Sequence, residues 1–334
     1  MQNQADNSDY SFEPSLQRAR FLDARMHLEL ANSINHLKEN IENQLGEFIP
    51  SLDLLIKKLK GGKRIRPNAF GLYYEAASAL IDGDIKEGLS QLNTLANESE
   101  SLNSLEVVAL SQLSDEKVRL YQKLMNTDPE APFYIISPPQ EIVHVSIHRF
   151  NKALDRLRIA IPDLAHEFES IVNQVILVIG DKEKVSYDFA GGSCYMLWGA
   201  LFINATLHQN DIEIIHAIAH ESAHSLLFGF TINELLVTNP DDEKYTSPLR
   251  DDPRPMDGIF HSVFVLARMH YAMTQLLNSN LLTKDEADIA KKFQAIDSDC
   301  FFNGYEVVKR NAKFTKSGQK LMQYAYNYMH KCRS

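Results

Sequence analysis

Residues 211–228 read DIEIIHAIAHESAHSLLF and are apolar on nearly every side of a helix: Ile212, Ile214, Ile215, Ile218, Ala219, Leu226, Leu227 and Phe228. A helix of that kind is interior, so the rest of the chain has to wrap it. Asn210 stands where an N-cap is needed, Glu213 completes a capping box three residues on, and Gly229 is the expected stop. Its polar side chains His216, His220, Glu221 and His224 are then buried too, and each needs a partner to offset desolvation.

The flanking texture supplies strands. Val175–Gly180, VILVIG, is a short apolar run bounded by glycine and charge, and reads as a buried strand; Tyr195–Ala205 reads as a second, with a turn at Gly191–Gly192 between them. From Leu16 to about Asn126 the apolar spacing is helical, as in Leu52, Leu55, Ile56 and Leu59, then Leu80, Ile81, Ile85 and Leu89. Pro132, Pro138 and Pro139 mark a loop, and helices are expected near Arg149–Arg158 and Asp163–Gln174. The polar opening reads as a tail. The expected fold is mainly α with a small β-sheet (α+β), a zincin-like HExxH helix next to short strands, and a helical N-terminal half. The expected division is a disordered tail at 1–15, a helical region at 16–155 and a metal-binding catalytic region at 156–334, the last two able to form one continuous domain.

Several classes are disfavoured. At 334 residues the chain holds ample core, and it has no apolar run of the ~18 residues that a membrane span needs. The opening MQNQADNSDYSFEPSLQRAR lacks the apolar core of a secretory signal, and Cys194, Cys300 and Cys332 form no pairing pattern, so the expectation is cytoplasmic. A net charge of −10 argues against general nucleic-acid binding. One basic cluster, KKLKGGKRIR from Lys57 to Arg66, reads as a helix C-terminus ended by Gly61, with an anchoring patch for an acidic peptide as the alternative.

His216, His220 and His224 share one helix face but cannot bind one ion together, because eight residues separate the outer two by about 12 Å along the axis. The pair His220 and His224 encloses Glu221 in HESAH, the H-E-x-x-H arrangement in which two imidazoles grip a metal beside a carboxylate. His216 then reads as a core histidine bonded to backbone or carboxylate, or as support for the site. The extended zinc-protease signature fails, since Leu227 and Phe230 stand where it requires glycine and histidine. A thermolysin-like site needs a downstream glutamate on a helix; Glu234 and Glu243 are nearest, yet both sit in a loop-like stretch.

The segment YTSPLRDDPRPMDGIFHSVFVLARMHYAM says more. Pro248, Pro253 and Pro255 set an extended approach to a helix starting near Asp257, with His261 in its first turn. His261 is the candidate third ligand; capping its own helix is the alternative. HESAH followed by SPLRDDPRPMDGIFH resembles the HExxH-motif family of iron(II)- and 2-oxoglutarate-dependent peptide β-hydroxylases associated with ribosomally synthesised, post-translationally modified peptides. The likeness is strong from about Gly191 to Arg268, looser through Gln319 where FTKSGQKLM fits the family's closing helix, and not specific over the N-terminal half.

That resemblance implies that His220, His224 and His261 hold iron(II), that an arginine of the PLRDDPRP segment, Arg250 or Arg254, binds 2-oxoglutarate, and that the partner is a precursor peptide. Three histidines depart from the usual two-histidine, one-carboxylate set but leave positions for a keto acid and O2. Either arginine could instead pair with Asp251, Asp252 or Asp257. Glu221 is the catalytic candidate. Two other readings stand beside this one: a zinc metallopeptidase with Glu221 as general base, and a non-catalytic module that binds peptide.

Overall fold

The computed structural model describes residues 10–98, 104–126, 132–184, 187–249 and 252–333. Among them the elements run α1 (Leu16–Leu45), α2 (Ser51–Lys60), α3 (Pro67–Ile81), α4 (Ile85–Asn97), β1 (Glu106–Ala109), α5 (Asp115–Met125), β2 (Ile135–Ile136), α6 (Gln140–Ala160) and α7 (Pro162–Ile171). Then follow β3 (Gln174–Gly180), β4 (Gly191–Gly192), β5 (Ala200–Asn204), α8 (Asp211–Phe230), β6 (Lys244–Tyr245), β7 (Arg254–Pro255), α9 (Met256–Asn278), α10 (Lys284–Asn311) and α11 (Lys316–Arg333). The protein is mainly α with a small mixed sheet, as its periodicities predict. No helix among the described residues is long and apolar enough to cross a membrane.

The chain forms two compact units, and both are discontinuous in sequence. One comprises Arg20–Arg149 and Glu169–His208; the other comprises Met1–Ala19, Phe150–Phe168 and Gln209–Ser334. The sequence reading places one boundary near residue 155, whereas this division cuts the chain four times, because α1, α6 and α7 each pass from one unit to the other.

The first unit holds the main sheet, in the order β1-β3-β5-β4, with β2 against β3. β3 pairs in parallel with β1 and β5, and nearly all of it is buried, which is why VILVI is apolar without alternation. The unit departs from the sequence reading at three places. Glu106–Ala109 is a strand inside the stretch expected to be helical, and the Gly191–Gly192 pair is a short strand antiparallel to β5. Tyr195–Leu197 is a 3-10 turn rather than the start of a strand. The break falls at Gly199, which takes φ +88°, and a Cβ there would come within 3.1 Å of the Asn173 side chain.

The basic cluster closes α2 as expected, with Lys57, Lys58 and Lys60 in its last turn and Gly61 as C-cap. Its two arginines make internal contacts. Arg66 Nη1 donates to Glu106 Oε2 at 2.7 Å, and Glu106 also accepts from Gln174 Nε2 at 2.7 Å, joining the starts of β1 and β3. Arg64 Nη2 donates to the Ser170 carbonyl at 2.8 Å.

The second unit packs α8 and α10 against α9, with α11 also on α9. Residues 1–9 of the expected tail lie outside the described residues, and Tyr10 onward corrects the expectation of disorder. Phe12 is 1% exposed and stacks on Tyr328 at 4.6 Å. The backbone around it is gripped by two buried arginines: Arg18 donates to the carbonyls of Ser11 and Glu13, and Arg268 donates to that of Phe12. Both arginines share the buried carboxylate of Glu167, and burial pulls the Arg268 pKa down against that carboxylate. A polar segment with one well-placed aromatic residue is thereby docked, which composition does not reveal.

Candidate metal centre

α8 starts as its cap predicts: Asn210 Oδ1 accepts from the Glu213 backbone N–H at 3.0 Å. The Glu213 carboxylate reaches back to the Gln209 N–H at 2.7 Å instead of that of Asn210. The helix ends at Phe230, one residue beyond Gly229. Fourteen of its residues are buried, including Glu221 at 4% exposure.

His216 is bound away from the pair. Its Nε2 lies 3.0 Å from Asp297 Oδ2 of α10, and its ring stacks on Phe293 at 4.1 Å. Burial raises the Asp297 pKa, and His216 opposes that shift. One turn on, His220 and His224 turn Nε2 atoms towards each other at 3.2 Å. His220 Nδ1 lies 3.2 Å from Met269 Sδ of α9. His224 Nδ1 lies 3.3 Å from His261 Nδ1, with the two rings stacked 5.5 Å apart. Glu221 Oε1 is 3.8 Å from His220 Nε2. Desolvation lowers the His261 pKa, with Asp257 opposing from 3.9 Å, so a neutral imidazole is favoured, the form that can bind metal.

All three expected ligands are therefore brought together, but their nitrogens do not converge. His224 faces His220 with one nitrogen and His261 with the other, and among the described residues no group of three or more His, Cys, Asp or Glu is arranged to hold a metal ion. The HExxH pair by itself meets the spacing. Two nitrogens about 2.0–2.1 Å from one ion lie roughly 2.9–3.4 Å apart for cis or tetrahedral placement, and the pair stands at 3.2 Å.

The alternative acids are engaged elsewhere. Glu234 accepts from Ser317 at 2.6 Å, and Glu243 accepts from the Tyr245 hydroxyl at 2.6 Å, which lowers the Glu243 pKa. Arg250 lies outside the described residues, as does Asp251. Arg254 sits on β7 with Nε 2.6 Å from Asp252 Oδ2, off the angle of a good hydrogen bond. Its Cβ is 3.6 Å from where a Cβ on Gly258 would lie, one turn before His261 on the same face of α9. His261 itself falls in the second turn of α9, since the helix begins at Met256. The proline-rich approach is seated by Gly304 of α10, where an added Cβ would meet Val263 at 2.7 Å and Pro248 at 2.8 Å.

Met269 and Asp297 are the neighbours that sequence reasoning missed. Met269 reads as one more apolar residue on a buried helix, and Asp297 lies 81 positions from the histidine it contacts. No protein-family model matches the chain, and no curated protein matches it.

Proposed function

We propose that the chain is a non-haem iron(II)- and 2-oxoglutarate-dependent dioxygenase that hydroxylates a side-chain β-carbon in a ribosomally made precursor peptide. The observation that carries the reading is the facing Nε2 pair of His220 and His224, set against the helix that bears His261 and follows β7 with its Arg254. His220 and His224 would hold the metal; the resemblance adds His261. When bound, iron(II) supplies the one-electron chemistry that couples keto-acid decarboxylation to oxygen insertion.

The chain's own groups have separate tasks. Arg254 binds the distal carboxylate of 2-oxoglutarate through its planar fork. Asp252 beside it is 52% exposed, so that ion pair is weakly held. Glu221, buried beside His220, orients ligand or substrate. The three cysteines are free, which fits a cytoplasmic setting. That buried carboxylate also favours a second reading, a zinc metallopeptidase in which Glu221 takes a proton from water.

The test incubates the protein with iron(II), 2-oxoglutarate and a precursor peptide encoded beside its gene, followed by mass spectrometry and succinate assay. One added oxygen with succinate formation is expected. Peptide cleavage in the wild type, abolished by Glu221→Gln, would establish the peptidase instead.

A further inference from the structure

The two arginines of the basic cluster are engaged inside the fold, but the lysines ahead of them are not. α2 buries Leu52, Leu55, Ile56 and Leu59. A helix of 3.6 residues per turn then sets Leu54, Lys57, Lys58 and Lys60 on the opposite side. Among the described residues none of these three lysines meets a carboxylate, although the chain holds 44 acidic residues against 34 basic ones. Leu54 is 58% exposed, and Phe48, just ahead of the helix, is 63% exposed. Lys38 of α1 ties the two together: its Nζ lies 5.6 Å from the centre of the Phe48 ring and donates to Asp53 Oδ1 at 2.7 Å. Asp53, the one acid of α2, is thereby neutralised. The helix dipole accounts for lysines in a last turn. It gives no reason for two large apolar side chains left in solvent beside them, and an apolar patch rimmed by charge is the mark of an interaction surface.

We propose that the outer face of α2 docks a short acidic peptide segment that carries a large apolar side chain. Lys57, Lys58 and Lys60 meet its carboxylates, and Leu54 with Phe48 meets the apolar group. Charge complementarity selects this occupant. The chain as a whole carries −10, so a partner that presents negative charge over a wide front, such as a membrane or nucleic acid, is repelled by most of the surface. Such a front would also meet the exposed Glu47 beside Phe48. A short segment meets the lysines alone. Identifying that segment with part of the precursor peptide rests on the proposed function; the chemistry that the surface selects does not.

The test is fluorescence anisotropy with the full chain and a labelled peptide of repeating Glu-Glu-Leu-Phe-Glu. Saturable binding is expected, weakening as salt is raised, and the same peptide with lysine for every glutamate should not bind. Lys57→Gln, Lys58→Gln and Lys60→Gln combined should weaken capture about tenfold, the sum of three exposed ion pairs. Arginine at the same three positions keeps the charge and should keep the affinity. Leu54→Ser should cost about fivefold through lost apolar contact. Lysines that serve only the dipole would lower the melting temperature of the glutamine variant and leave its peptide affinity unchanged; that result overturns the proposal, as does a wild type that shows no saturable binding. Cosedimentation with phosphatidylcholine vesicles containing phosphatidylserine, without capture of the acidic peptide, overturns it in favour of a membrane surface. None of these measurements needs metal or 2-oxoglutarate. Peptide capture without succinate formation therefore sustains the docking surface and removes the oxygenase reading, whereas succinate formation without peptide capture does the reverse.

Discussion

Successive turns of α8 carry the same side chain on the same face and end in different chemistry. At His216 the neighbour is α10, which offers Asp297 and the ring of Phe293. At His220 and His224 the neighbour is α9, which offers Met269 and His261. A buried carboxylate occupies the first imidazole. A thioether and a third imidazole leave the next two facing each other at ligand spacing. The three half-buried histidines thus meet groups of different charge.

The sharpest way to break this contrast is to delete each histidine and measure bound metal after dialysis. His220→Ala and His224→Ala should each lower affinity by about a hundredfold or more, a ligand's share of a typical site. His216→Ala should leave metal content unchanged. In the observed geometry His261→Ala costs about tenfold, the price of losing an outer partner; a loss matching that of His224→Ala would make it a true ligand.

The reverse effect is expected at the first turn. Asp297→Ala removes a charged hydrogen bond from a half-buried histidine and should lower unfolding free energy by about 2 kcal/mol in urea titrations. Zinc affinity should stay within about twofold. If metal binding falls as far as stability does, the two turns are not independent.

A third measurement addresses the loop ahead of α9. Arg254→Lys loses the planar fork and should raise the 2-oxoglutarate needed for half-maximal succinate formation at least about tenfold, with metal uptake intact. An unaltered requirement would remove Arg254 and turn attention to Arg250.

The smallest effect concerns the start of α10, the helix that delivers Asp297. Arg156 pairs bidentately with Glu286, and this partner, with the Thr283 cap, lowers the Glu286 pKa to about 2. A carboxylate with a depressed folded-state pKa stabilises above its unfolded value near 4.5 and loses that contribution as pH falls towards 2. The stability gap between wild type and Glu286→Gln should therefore be full above about pH 5 and close on acidification. The pair is partly exposed, so the gap should not exceed about 1 kcal/mol.

Periodicity made α8, β3 and the long helices legible, because an apolar stripe or run has to be buried wherever it occurs. β1 was not legible: EVVA is too short to show a period, and it becomes a strand only because β3 accepts it in parallel register. The docking of Tyr10–Ser15 was hidden for a similar reason, since its partners Glu167 and Arg268 lie more than 150 residues away. Within the site, 3.6 residues per turn showed that the three histidines cannot share one ion, and the glutamate enclosed in HESAH singled out His220 and His224. Which nitrogen each ring presents was not in the sequence. That depends on Met269, His261 and Asp297, three groups on other helices whose positions follow from packing, and ring orientation is set by the partner that packing delivers.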